Sequence, residues 1–126
     1  GIDFTVSNTN EIQTVVESMA GKVDVIFAPT DNTIANGMAT VSMVAADNGL
    51  AVICGESGMV EAGGLATYGI DYYKLGYMAG EMAVDVLING SNPAEMPIQY
   101  QPEDEYELSV NEETAAKLNI DMSAIQ

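Results

Sequence analysis

Strand-like and helix-like segments alternate along most of this chain, and the alternation constrains its fold more than any other feature. Two segments, 23–28 and 51–54, are nearly continuous in apolar residues, as is typical of strands that are covered on both faces. Apolar residues recur at helical spacing over about 32–47 and 72–88. Strands joined through helices need right-handed crossovers, which make neighbouring strands parallel. The sequence therefore predicts an α/β fold with a parallel sheet flanked by helices.

The shorter elements follow from turn and capping residues. Asn8, with Glu11 three residues later, has the pattern of a helix start, while the glycine-rich stretch 55–58 predicts a loop. The proline-punctuated tail is expected to form only short elements. Beyond the segments above, the predicted elements are strands at about 2–7, 65–70, 98–101 and 107–110, a helix after Glu11 and a last short helix that starts at Asn111.

The charge balance excludes several classes of partner. Three Lys and Arg stand against 19 Asp and Glu, a formal net charge of -16. Phosphate binding needs clustered cations, so no nucleic acid is expected as a partner and an anionic membrane surface is disfavoured. We interpret the acidity as a solvated surface, and the run 103–105 as a solvated loop in preference to a calcium site.

The sequence offers little for catalysis. It contains no histidine, which removes the commonest general base and transition-metal ligand. Ser57 lies in a stretch similar to a nucleophile elbow, but Met59 occupies its last glycine position. Cys54 lies in an apolar run and is interpreted as a buried packing residue. We predict no catalytic residue, metal or cofactor, although acid–base chemistry by paired carboxylates stays open as an alternative.

Polar residues follow four of the predicted strands. In an open parallel sheet, ligands bind beyond the carboxyl ends of the strands. Where such an end opens into a helix, free backbone N–H groups favour an anionic group. Each polar cluster alone is also what a helix cap needs, but together they lie along one edge. The predicted ligand-binding residues are Ser7, Asn8, Thr9, Thr30, Asp31, Asn32, Thr33, Glu56, Ser57, Asp71 and Tyr72.

Several of these blocks resemble one family. Ser7–Glu11 reads SNTNE, Val23–Thr33 reads VDVIFAPTDNT, residues 55–57 read GES, and Gly69–Gly76 reads GIDYYKLG. Together they resemble the ABC transporter substrate-binding proteins of the tryptophan/tyrosine type, which have the type 1 periplasmic-binding fold. The resemblance extends through nearly the whole chain.

The resemblance implies one part of a protein with two lobes that close on a solute. The chain is similar to the C-terminal portion only, a flavodoxin-like lobe that lacks its first strand and helix. Residues 1–70 would form the lobe core, 71–97 a crossing segment with a helix that packs on the absent N-terminal lobe, and 98–126 the terminal strands and helix. The isolated chain is expected to self-associate or to exchange elements with a second copy.

The resemblance also implies how a solute would be held. Helix-start N–H groups and side-chain hydroxyls suit an amino-acid carboxylate, carboxylates suit an ammonium, and aromatic side chains suit a ring. The candidates are Asn8, Thr9, Thr30 and Thr33 for the first, Asp31, Glu56 and Asp71 for the second, and Tyr72 and Tyr73 for the third.

The implied function is solute capture for an ABC importer. The solute would be small, an aromatic amino acid by resemblance, and would pass to a membrane permease with its ATPase. The implied location is outside the cytoplasm, periplasmic or as a lipoprotein on the cell surface. Two other classes stay open: the effector-binding lobe of a transcription regulator, which shares this fold, and a small α/β enzyme that uses carboxylates.

Overall fold

The computed structural model describes residues 1–123 and has the predicted α/β fold. Four strands form one sheet in the order β1-β2-β3-β4, and β2 pairs in parallel with both β1 and β3. The strands are β1 (Val25–Ala28), β2 (Ala51–Cys54), β3 (Ala66–Gly69) and β4 (Glu107–Val110). The helices are α1 (Ile12–Met19), α2 (Asn32–Asn36), α3 (Met38–Asp47), α4 (Ser57–Glu61), α5 (Tyr72–Leu87) and α6 (Glu112–Lys117).

The chain divides into two compact units. The larger unit comprises Gly1–Gly69 with Leu108–Gln126, and the smaller unit comprises Ile70–Glu107. Within residues 1–123, no helix is both long enough and apolar enough to cross a membrane. The expected segments 1–70, 71–97 and 98–126 were defined by how they would contact a second lobe. They stay a prediction.

The core of the larger unit covers one face of the sheet. Helices α1, α3 and α4 pack there on alternate residues of β1 and β2, and Ile12, Met38 and Met59 are fully buried. Successive strand residues point to opposite faces, and on the other face Val25 is 52% and Phe27 67% exposed. The expectation that the strands are covered on both faces is therefore wrong for β1. On the second face of β2, Ala51 packs against another cluster, which includes Leu65, Ala66 and Ala115 of α6.

The predicted helix over 32–47 is two helices separated by Gly37. The Gly37 N–H donates to the Ile34 carbonyl and ends α2. A Cβ atom at Gly37 would collide with the Ile12 side chain. Glycine at the break thus allows close approach to Ile12 of α1, a contact that is distant in sequence.

Two predicted strands and one predicted loop are wrong. Segment 2–7 forms no strand, and a cavity of about 600 Å³ is lined by residues 1–4 together with residues 22–27 and Pro29. Residues 98–101 are irregular, with Ile98 and Tyr100 exposed. The loop predicted at 55–58 ends early, since α4 begins at Ser57.

Gly64 tests how tightly the core is packed. A methyl group there would collide with Cys54 Sγ and lie 3.0 Å from the Met59 carbonyl oxygen. We expect Gly64→Ala to lower the free energy of unfolding by about 1 to 3 kcal/mol, as overpacking does, measured by urea denaturation. Gly80→Ala is the control, because its methyl meets nothing within 4 Å and should be neutral or stabilising by up to about 1 kcal/mol. Equal effects of the two substitutions would contradict this packing.

Candidate functional site

The candidate site lies at the carboxyl ends of β1 and β2. Ala28 is the register partner of Cys54, and the Gly55 N–H donates to the Ala28 carbonyl at 2.9 Å. Both strands therefore end at the same level. A Cβ atom on Gly55 would lie 2.5 Å from Thr30 Oγ1 and 2.6 Å from Thr30 N. Only glycine at position 55 lets the Thr30 segment pass this close to the end of β2.

Two carboxylates in this region cap helices. Asp31 Oδ1 accepts the N–H groups of Thr33 at 2.8 Å and Ile34 at 3.1 Å. In Glu56, Oε2 accepts the Gly58 N–H and Oε1 the Met59 N–H, both at 2.8 Å. Asp31 thus keeps one carboxylate oxygen without a partner among the described residues, whereas both oxygens of Glu56 are engaged.

The segment before α1 is also capped as predicted. Asn8 Oδ1 accepts the Asn10 N–H at 3.0 Å, and Glu11 accepts in return from the Ser7 N–H at 2.9 Å and the Asn8 amide at 3.0 Å. The turn formed by Thr9–Glu11 contacts α2. The structure therefore brings the first predicted cluster close to the second, which spans residues 30–33, and Thr30 lies against the start of the third at Gly55.

The fourth cluster belongs to the smaller unit. Asp71 Oδ1 caps α5 by accepting the N–H groups of Tyr73 at 2.8 Å and Lys74 at 3.2 Å. The Asp71 N–H donates to Gln101 Oε1 at 2.9 Å. Tyr72 and Tyr73 are exposed. Sequence reasoning missed Gln101, because a single glutamine in a proline-rich tail carries no spacing signal.

These caps change what the site can do. Two N–H groups at the start of each of α2, α4 and α5, which the sequence assigned to a ligand carboxylate, are bonded by Asp31, Glu56 and Asp71. The polar atoms that remain to contact a solute include side-chain hydroxyls and, in the larger and the smaller unit respectively, Oδ2 of Asp31 and Oδ2 of Asp71. Asn32 and Ser57 are the first residues of α2 and α4.

The reactive groups near the site are few. Cys54 is buried, and burial first, then the negative charge of Glu56, raises the pKa of its thiol to about 11. The thiol stays protonated and unreactive at neutral pH. Ser57 lies at the start of α4, and no basic side chain among residues 1–123 forms a hydrogen bond with its hydroxyl. Within residues 1–123, no three His, Cys, Asp or Glu side chains are grouped so that they would hold a metal ion.

Known proteins match this chain along nearly its whole length. The family described as ABC transporter substrate binding protein matches residues 2–124. A tyrosine-binding protein of Clostridioides difficile (strain R20291) is 42% identical over 119 residues, which are 94% of this chain and 34% of that protein. The chain therefore spans about a third of this curated relative.

Solved structures agree in fold. An ABC domain from Streptococcus pneumonia in complex with L-Trp is 38% identical, with a TM-score of 0.82 over 94% of this chain and 39% of that chain. A substrate binding protein with adhesive properties from Clostridium difficile, in its ligand-free, open form, is 40% identical, with a TM-score of 0.72 over 96% of this chain and 40% of that chain.

Asp31 allows the capping role to be separated from the charge. We expect Asp31→Ala to lower the free energy of unfolding by about 1 kcal/mol because two helix N–H groups lose their acceptor, whereas Asp31→Asn should cost only about a few tenths, since asparagine caps equally well. Urea denaturation measures both. Asp24→Ala, at an exposed aspartate that bonds no other residue in the described part of the chain, is the control and should have no effect. An Asp31→Ala variant as stable as the control would contradict the cap.

Proposed function

Because this chain belongs to the ABC transporter substrate-binding protein family, we propose that its protein captures a small solute between two lobes and delivers it to a membrane permease. The observation that carries the proposal is the family match over residues 2–124. The capped strand ends of the larger unit support it, since they present fixed polar groups at the edge where ligands of parallel sheets bind. On this proposal the protein acts outside the cytoplasm as a binding component and not as an enzyme.

We further propose that the solute is an aromatic amino acid. One relative is named as a tyrosine-binding protein, and one solved relative holds L-Trp. A zwitterion of this kind needs donors for its carboxylate, an anionic acceptor for its ammonium and flat apolar walls for its ring.

The capping bonds rank the candidate residues. Hydroxyls at Thr9, Thr30 and Thr33, with the Asn8 amide, are the proposed partners of the solute carboxylate. For the ammonium, Asp31 and Asp71 each keep Oδ2, whereas Glu56 has both oxygens engaged. The exposed rings of Tyr72 and Tyr73 are the proposed walls. Ser7, Asn32 and Ser57 would add polar contacts around them.

The proposal is tested by isothermal titration of the whole protein that carries this chain with L-tryptophan, L-tyrosine and L-leucine. We expect binding of the aromatic amino acids and weaker binding of leucine. Asp31→Asn should weaken binding by about tenfold or more, because a hydrogen bond to a charged group contributes about 1.5 to 3 kcal/mol, while it leaves the helix cap intact. Asp24→Asn is the control and should bind like the unaltered protein.

Two outcomes would overturn parts of this proposal. If no amino acid released or absorbed heat, amino-acid capture would be wrong. If aromatic amino acids bound but Asp31→Asn matched its control, the assignment of Asp31 to the ammonium would be wrong, and the same measurement on Asp71→Asn would test the other candidate.

We also propose that the isolated chain associates with itself. Helix α5 has no buried residue, and a cavity of about 700 Å³ is lined by its apolar side chains, among them Leu75, Met78 and Met82, and by residues 93 and 96–99. In the larger unit, the side chains of Val25 and Phe27 are exposed on the open face of the sheet. Apolar surfaces of this kind mark interaction sites. In the whole protein the α5 surface would pack on the N-terminal lobe.

Light scattering at increasing concentration tests the association. We expect oligomers that dissociate on dilution. Met78→Gln with Met82→Gln should shift the chain toward monomer if α5 forms the contact, and Phe27→Thr should do so if the sheet face forms it. Glu81→Gln, on the same helix, is the control. A monodisperse monomer of the unaltered chain would contradict the proposal.

A further inference from the structure

The smaller unit has an unusual interior. Within Ile70–Glu107, all of which the structure describes, the buried residue is Gln101, at 4% exposure, and every apolar side chain is at least partly exposed. A buried amide is costly unless its donor and acceptor are both bonded. The position of Gln101 therefore depends on its hydrogen bonds more than on apolar packing.

Gln101 bonds two backbone groups that are far apart in sequence. Its Oε1 accepts the Asp71 N–H at 2.9 Å, and its Nε2 donates to the Glu105 carbonyl at 2.9 Å. Glu105 lies in a turn whose own N–H donates to the Pro102 carbonyl. One side chain thus joins the segment before α5 to the turn before β4.

These two segments lie beside the points where the chain passes between its units, which fall after Gly69 and after Glu107. A second and weaker link supports the same connection: Lys74 Nζ lies 3.7 Å from Glu107 Oε1, and both side chains are exposed. Exposed ion pairs contribute little, so the buried amide is the main link.

We infer that Gln101 is a positioning residue for solute binding, an inference that rests on the proposed function. Asp71 uses Oδ1 for the α5 cap and its N–H for Gln101, so its side chain and its backbone are each held by a bond and the direction of Oδ2 is fixed. A binding group that is already ordered loses less conformational entropy when the ligand arrives. Gln101 would raise affinity in this way without touching the solute.

The test replaces Gln101 with methionine, which has a similar length and forms neither bond. In Gln101→Met, we expect hydrogen exchange to be about tenfold faster or more at Asp71 and also across 103–107, because local opening becomes easier. Affinity for L-tryptophan or L-tyrosine in the whole protein should fall by about tenfold. Gln99→Met, the same change two residues away at an exposed position, should alter neither quantity.

If Gln101→Met fails to fold, amide hydrogen exchange in the unaltered protein tests the same link. The Asp71 N–H has an acceptor in Gln101, whereas the neighbouring Tyr72 N–H has none among the described residues. Asp71 should therefore exchange more slowly than Tyr72. Equal exchange at the two amides, or a Gln101→Met variant with faster exchange in one segment only, would overturn the inferred link.

Exchange and affinity separate this inference from the proposed function. If both segments exchange faster in Gln101→Met but the unaltered protein binds no amino acid, the link stands and amino-acid capture is wrong. If the unaltered protein binds and Gln101→Met changes exchange but not affinity, the positioning role of Gln101 is wrong.

Discussion

Helix capping at the ends of strands is the interaction on which the site region depends. Asp31, Glu56 and Asp71 each accept two backbone N–H groups from the helix that follows. The first turn of a helix leaves its N–H groups without partners, so these side chains are needed for the helices to start directly after the strands. The same bonds fix the orientation of the carboxylates. Within each unit these carboxylates are therefore ordered before any solute arrives, and Oδ2 of Asp31 and Oδ2 of Asp71 have fixed directions.

Capping chemistry also explains which parts of the site were predictable. Asn8, Asp31 and Asp71 are residue types that favour helix starts, and the structure places each of them as a cap. The cap by Glu56 was harder to predict, because glutamate is a less frequent cap and glycines flank the segment. The sequence therefore predicted a loop where α4 begins at Ser57. Gln101 was not predictable, since its role depends on a partner 30 residues away.

The fold divides in a similar way between local and distant causes. The apolar runs of β1 and β2 and the long periodic segment of α5 were predictable, because each pattern is complete within its own residues. The need for glycine at position 37 comes from its contact with Ile12, and no described strand pairs with 2–7, so neither feature could be read from its own segment. Burial is also uneven: the apolar core lies in the larger unit, whereas the smaller unit buries an amide.

The buried position of Cys54 makes its thiol a probe of local unfolding. Its thiol is covered by Gly64 and belongs to the core strand β2. With a pKa of about 11 in the folded state, it supplies almost no thiolate for alkylation. When β2 opens, the thiol regains an ordinary acidity and meets the solvent. The rate at which an alkylating reagent modifies this single thiol therefore depends on how often β2 opens.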